Sequence, residues 1–163
     1  MGIRRAQLRH EGGQRFAATT GTGRSIVFGD HADQGEQSPV ELVAAALAAC
    51  SAMDVVSIMV KKRQVVESYA VSVSADQRSS YPQVFTRIDV LHDVAGPDVS
   101  EDAVRRCIEL SATTYCPISA MLSAGATEIH HRYRVRGTGA APFEADGEVV
   151  VTGPYRRPDV VRT

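Results

Sequence analysis

The sequence has no tryptophan, only 6% aromatic residues and just three cysteines. The first two shortages leave few side-chain faces on which nucleobases could stack. The cysteines, Cys50, Cys107 and Cys116, are too few and too scattered for a secreted disulfide scaffold or a Cys-x-x-Cys zinc site. Neither sign of charge is in excess: 18 Lys and Arg stand against 19 Asp and Glu, for a formal net charge of -1. No global field therefore gathers nucleic acid or an anionic membrane, and neither is an expected partner. The longest apolar run, Leu42 to Cys50, is nine residues, short of the ~18–20 that span a bilayer. Met1-Gly2-Ile3-Arg4-Arg5 leads into polar residues rather than a signal-peptide core. The expected location is thus a reducing cytoplasm, where thiols that do chemistry are a better expectation than thiols that staple.

What remains is a chain of 163 residues, 44% of them hydrophobic, long enough to bury a core without cross-links. Arg15–Thr20 and Arg24–Phe28 are short β-prone runs flanking Gly21-Thr22-Gly23, the pattern of a hairpin. After a polar stretch, Ser38-Pro39-Val40-Glu41 has the form of a helix start, with Ser38 as cap, Pro39 in the first turn and Glu41 as the capping-box partner. From there to about Arg63 the sequence has no helix breaker and is apolar nearly all round as far as Met53. Such a helix needs burial on most faces, in a large core or against a partner chain.

Beyond Gln64 the period becomes two, with strands over Tyr69–Ser74 and Phe85–Leu91. A second helix runs from about Glu101. Pro117 cannot lie inside it, so one helix ends near Thr114 and a short one starts at Pro117 with Cys116 as its cap. Thr127–Arg136 is a strand with Ile129, His131, Tyr133 and Val135 on one face. This order predicts an α+β domain with antiparallel pairing and no βαβ chain. The domain covers residues 1–136; residues 137–163 form a C-terminal extension with one more β-prone run, Val149–Val151.

Free cysteine most often acts as a small buried hydrophobe, and Cys107, on an apolar helical stripe, fits that role. Cys116, at a helix N-terminus, is the more acidic thiol on local physics, because free amides and the helix dipole favour the thiolate. Cys50 lies three turns inside its helix with Asp54 one turn on. It needs a basic neighbour from elsewhere, for which Arg15, Arg24 and Arg87 are candidates. The residues alone leave the nucleophile open. His130 and His131 point to opposite faces, and His10, His31 and His92 lie alone, so no metal site is expected. Gly21-Thr22-Gly23 lacks the context of a phosphate loop. Lys61-Lys62-Arg63 suits a helix C-terminus.

The segment from Ser38 to Val56, with Cys50-Ser51-Ala52-Met53-Asp54-Val55-Val56 at its end, resembles the first cysteine segment of the OsmC/Ohr family. Tyr115-Cys116-Pro117-Ile118-Ser119 resembles its second. Together with Leu110-Ser111-Ala112 they are most like the YhfA-like branch, over roughly Leu8 to Val135. The resemblance implies antiparallel sheets around a long buried central helix, in an intertwined homodimer with two interfacial active sites. It implies a thiol peroxidase for organic hydroperoxides, with Cys50 as the attacking thiol, Cys116 as the resolving one and Arg15 as the activating arginine. A dithiol is the implied reductant, and no cofactor or metal is needed. Peroxidase members carry Pro-Glu-x-Leu, whose glutamate positions that arginine. Here Val40 holds the position and Glu41 follows, turned about 100° around the helix. The rival expectation is a non-catalytic dimeric binding protein for a small apolar ligand, its cysteines reduced and structural.

Overall fold

The computed structural model describes residues 2–31, 34–152 and 160–162. The chain forms two compact units, Met1–Val43 and Ala44–Thr163.

In the first unit, β1 (Ala6–Gly12), β2 (Arg15–Thr20) and β3 (Ser25–Phe28) make an antiparallel sheet in that order. The β2–β3 hairpin turns where the glycines predict. Gly23 has φ 78°, a left-handed conformation that glycine adopts without a Cβ clash. β1 lacks alternation in its sequence because every one of its residues is exposed; with neither face buried, no period is imposed.

Helix α1 (Pro39–Lys61) begins at the expected Ser38, whose carbonyl accepts from the Leu42 amide at 3.1 Å. It ends as Arg63 turns to φ 58° and the Gln64 amide reaches back to the Met59 carbonyl at 3.1 Å, a closure usually built on glycine. Ala44, Leu47, Ala48, Ser51, Val55 and Met59 recur at three- and four-residue spacing and are buried. The remaining apolar residues are not: Met53 is 75% exposed and Val60 68%. By length and composition alone α1 could cross a membrane, its best 18-residue window having a mean hydropathy of 2.1. The uninterrupted run hides this because Ser51 and Asp54 divide it. Leu47 and Val55, however, are fully buried against other elements.

The second unit carries a five-stranded sheet, ordered β4 (Ser68–Gln77), β5 (Phe85–Gly96), β6 (Glu128–Gly137), β7 (Phe143–Val151) and β8 (Val160–Arg162). Ile88, Val90 and Val94 of β5 alternate with outward residues, as do Ile129, Tyr133 and Val135 of β6. They meet Leu47, Val55 and Met59 of α1 and Val104 and Ile108 of α2 (Glu101–Leu110) in the core. Pairing is antiparallel throughout except between β5 and β6, which run parallel from Arg87↔Glu128 to Gly96↔Gly137. The segment between them is a crossover made of α2, a π-helical turn (Ser111–Tyr115) and α3 (Pro117–Leu122). One βαβ unit is therefore present where none was expected. Local periodicity shows that β5 and β6 are strands but not how they are oriented, and a connection this long permits the parallel choice.

The boundary expected at residue 136 separates strands that pair. β7 is bonded to β6 along its whole length, from Ile129↔Val151 to Gly137↔Phe143. Gly147 allows the fit, since a Cβ there would lie 2.1 Å from the Tyr133 hydroxyl. Residues 153–159 and 163 of the expected extension lie outside the described residues.

Candidate active site

Cys50 and Asp54 stand one turn apart on α1 and so share a face. The break in the second helical region supplies the other half of the site. The Cys116 amide donates to the Ser111 carbonyl at 2.9 Å, an i→i+5 bond, and such π turns are frequent at functional sites. Pro117 then opens α3 with Cys116 as its cap, as its missing N–H favours, and the Ser119 amide donates to Cys116 Sγ at 3.3 Å. Ser119 Oγ donates to the Ala112 carbonyl at 3.2 Å, tying α3 to the π turn.

The result is convergence: the sulfurs of Cys50 and Cys116 and a carboxylate oxygen of Asp54 all lie within 4.8 Å of one another. Asp54 is oriented by the π turn, whose buried Ser111 Oγ donates to Asp54 Oδ2 at 3.0 Å and lies 3.4 Å from Ser51 Oγ. Both cysteines pack with Leu47, Ile88, Val90 and Ile129 under the sheet. They differ in access: Cys116 is 2% exposed, whereas Cys50 is half-buried.

Local physics assigns a low thiol pKa to Cys116, and the structure overturns this. Burial pushes the Cys116 thiol up to about 12; the Ser119 amide opposes that rise, and the hydrogen bond and charge of neighbouring Cys50 add to it. The cap forms as expected, but loss of solvent outweighs the amides of Ser119 and Ile118 and a six-residue helix. Cys116 is thus held as a protonated donor facing the sulfur of Cys50.

Arg15 belongs to the N-terminal unit, and the carboxylate that holds it is not Glu41. Arg15 Nη1 donates to Glu36 Oε1 at 2.5 Å, and its Nε donates to Glu11 Oε2 at 3.2 Å. Glu36 is 4% exposed, and its second oxygen accepts from the His31 amide at 2.9 Å. That amide, aided by Arg15, holds the Glu36 carboxyl below the usual carboxylate range, while loss of solvent opposes them. Gly29 makes room, because a Cβ there would lie 2.0 Å from Glu36 Oε2. In the sequence Glu36 lies in a polar stretch without periodicity, and its only local sign is a carboxylate close after Gly29. Of the other arginines, Arg24 is exposed. Arg87 holds Asp89 through two bonds, of 2.6 and 2.8 Å. Strand alternation turns Arg87 away from Ile88 and hence from the cysteines.

The fold and the paired cysteines set the terms of comparison with known proteins. The family model described as OsmC-like protein matches residues 31–141. The chain belongs to the OsmC family. Among the family's curated proteins, YhfA of Escherichia coli K12 is 35% identical over 130 residues, 80% of this chain and 96% of YhfA. Among solved structures, a hypothetical protein from Aquifex aeolicus VF5 matches with a TM-score of 0.73 at 26% identity, covering 83% of this chain and 97% of that one. A Legionella pneumophila structure described as an organic hydroperoxide resistance protein OsmC shares the fold, with a TM-score of 0.63 at 15% identity over 83% and 97% of the two chains. The family thus includes organic hydroperoxide resistance proteins, and the mixed α+β fold with its long helix is that of the family.

The remaining titratable residues sort by face. Cys107 is fully buried in the core, where loss of solvent pushes its thiol up to about 11. His92 does not stand alone. Parallel pairing brings it to His131, with His92 Nε2 3.1 Å from His131 Nδ1, and Tyr69 Oη lies 2.7 Å from His92 Nδ1. Burial lowers His92 to about 4 and His131 to about 3, the latter aided by the two neighbouring histidines. On the opposite face, His130 Nδ1 meets Glu148 Oε1 at 2.8 Å within a network that includes Asp89, Arg87 and Arg132.

Proposed function

We propose that this OsmC-family chain is a cysteine-based peroxidase that reduces organic hydroperoxides. The observation that carries the reading is the approach of Cys50 and Cys116, sixty-six residues apart in sequence, to within 4.8 Å. A disulfide needs about 2.05 Å, so a shift of at most a few ångströms closes the bridge. The difference in access supports the division of labour: the half-buried Cys50 attacks and the buried, protonated Cys116 resolves.

In the first step the Cys50 thiolate attacks one oxygen of ROOH. The O–O bond breaks, Cys50 becomes a sulfenic acid, and ROH leaves with a proton from solvent. In the second, the sulfur of Cys116 displaces hydroxide from Cys50-SOH; the thiol proton completes water, and a disulfide forms. A cellular dithiol then reduces the bridge by two exchange steps and is itself left as a disulfide. Arg15, aligned by Glu36 and Glu11, is the proposed activating cation, and Glu36 takes the place of the carboxylate that Val40 removes. The enzyme works as a cytoplasmic homodimer.

The test is consumption of an organic hydroperoxide with a dithiol reductant. Wild type should turn over and Cys50→Ser should be inactive; equal slow rates for the two would remove the enzymatic reading. Cys116→Ser should leave a sulfenic acid trappable on Cys50. A second reading, as a binding protein for a small apolar ligand, is favoured by one feature only. A cleft of about 390 Å³ in the N-terminal unit is lined by Leu8, Phe16, Phe28 and Pro39 among others.

A further inference from the structure

We propose that Cys50, Asp54 and Cys116 also form a binding site for a thiophilic divalent cation of the zinc class, and that a bound cation masks both thiols. The reading rests on the geometry of the donor set, not on the peroxidase cycle. Two sulfurs and one carboxylate oxygen mutually within 4.8 Å already approximate three corners of a tetrahedron. Zinc–sulfur bonds of about 2.3 Å and zinc–oxygen bonds of about 2.0–2.2 Å place such ligands about 3.5–3.8 Å apart. Contraction by at most about 1.3 Å per pair therefore completes the set.

Donor chemistry selects the ion. Thiolates favour soft and borderline cations over magnesium or calcium. Coordination expels the two thiol protons to solvent and leaves two thiolates and a carboxylate around the cation. Three protein ligands leave the fourth position open to water. The half-buried Cys50 provides the way in.

Two further observations point the same way. The Ser111 hydroxyl, itself fully buried, fixes Asp54, as an outer-sphere donor fixes a metal carboxylate. Among the described residues no Lys or Arg forms an ion pair with Asp54, and its carboxylate accepts from the neutral Ser111 hydroxyl. The other cluster of suitable ligands, Asp89, His130 and Glu148, differs in this. Arg87 and Arg132 hold its carboxylates.

Cadmium, which shares zinc's ligand preferences and gives an ultraviolet sulfur-to-metal charge-transfer band, is the probe. Reduced, metal-free full-length protein titrated with Cd²⁺ should saturate at one ion per chain with the intensity of two thiolates. Cys107→Ser should leave the band unchanged. Cys50→Ser and Cys116→Ser should each lose about half of it, and Asp54→Asn should weaken binding by about tenfold or more. Bound cadmium should also slow alkylation of Cys50 in wild type, a readout that needs no variant to fold. No band at stoichiometric Cd²⁺, a full band in the Cys50→Ser/Cys116→Ser double variant, or wild-type affinity in Asp54→Asn would each overturn the proposal. Hydroperoxide turnover is measured separately, so either reading can fail while the other stands.

Discussion

Cys116 and Glu36 carry the chemistry of the two units in opposite ways. Cys116 has the cap position that favours an anion, yet burial keeps its proton on. Glu36 is almost fully covered and still holds its charge, because an arginine and a backbone amide both donate to it. Replacing Glu36 by Gln keeps the shape but removes the charge that aligns Arg15. If Arg15 activates the attacking thiol, Glu36→Gln lowers the rate constant for sulfenic acid formation by about tenfold or more. Exchange of the oxidised protein with dithiol should be unchanged, and stopped-flow measurement of the two half-reactions separates them. Substituting Gly29 by Ala should give the same kinetic defect, since the added methyl displaces the Glu36 carboxylate.

At the scale of elements, what was legible in the sequence is what depends on near neighbours. Ser38-Pro39 and Pro117 mark helix starts, Gly21 and Gly23 mark a turn, and the alternation from Ile129 to Val135 marks an inward face; each is a local steric or burial constraint. The parallel β5–β6 pair, the joining of β7 to β6, and the meeting of Glu36 with Arg15 involve partners with no mark in either segment. The His92–His131 contact is of the same kind. That pair makes the sheet sensitive to acid. Folded, the two imidazoles hold their protons only below about 4 and about 3, against about 6.5 in the unfolded chain. Between pH 6.5 and those values the unfolded state binds more protons, so stability falls as pH falls, by about 1.4 kcal/mol per unit for each histidine. Below about pH 3 their contribution stops changing. Urea unfolding at pH 7, 5.5 and 4.5 should show this slope, and a His92→Phe/His131→Leu variant should flatten it.

For the whole molecule, α1 poses the main question of burial. One chain covers Leu47, Val55 and Met59 but leaves Met53, Val56 and Val60 in solvent, a run of large apolar side chains suited to a second copy of the same helix. In the proposed homodimer this face is interior. Val56→Glu/Val60→Glu should therefore give a monomer in sedimentation at micromolar concentration while leaving the single-chain core intact, and a dimer that survived both charges would place the interface elsewhere.

The long separation of Cys50 and Cys116 along the chain has a consequence for heat tolerance. Joining sulfurs that far apart would deprive the denatured ensemble of much of its configurational freedom, worth about 4 kcal/mol by the loop-closure relation. An oxidised molecule would accordingly melt above a reduced one, and the proposed redox cycle would write itself into the lifetime of the fold as well as into its chemistry.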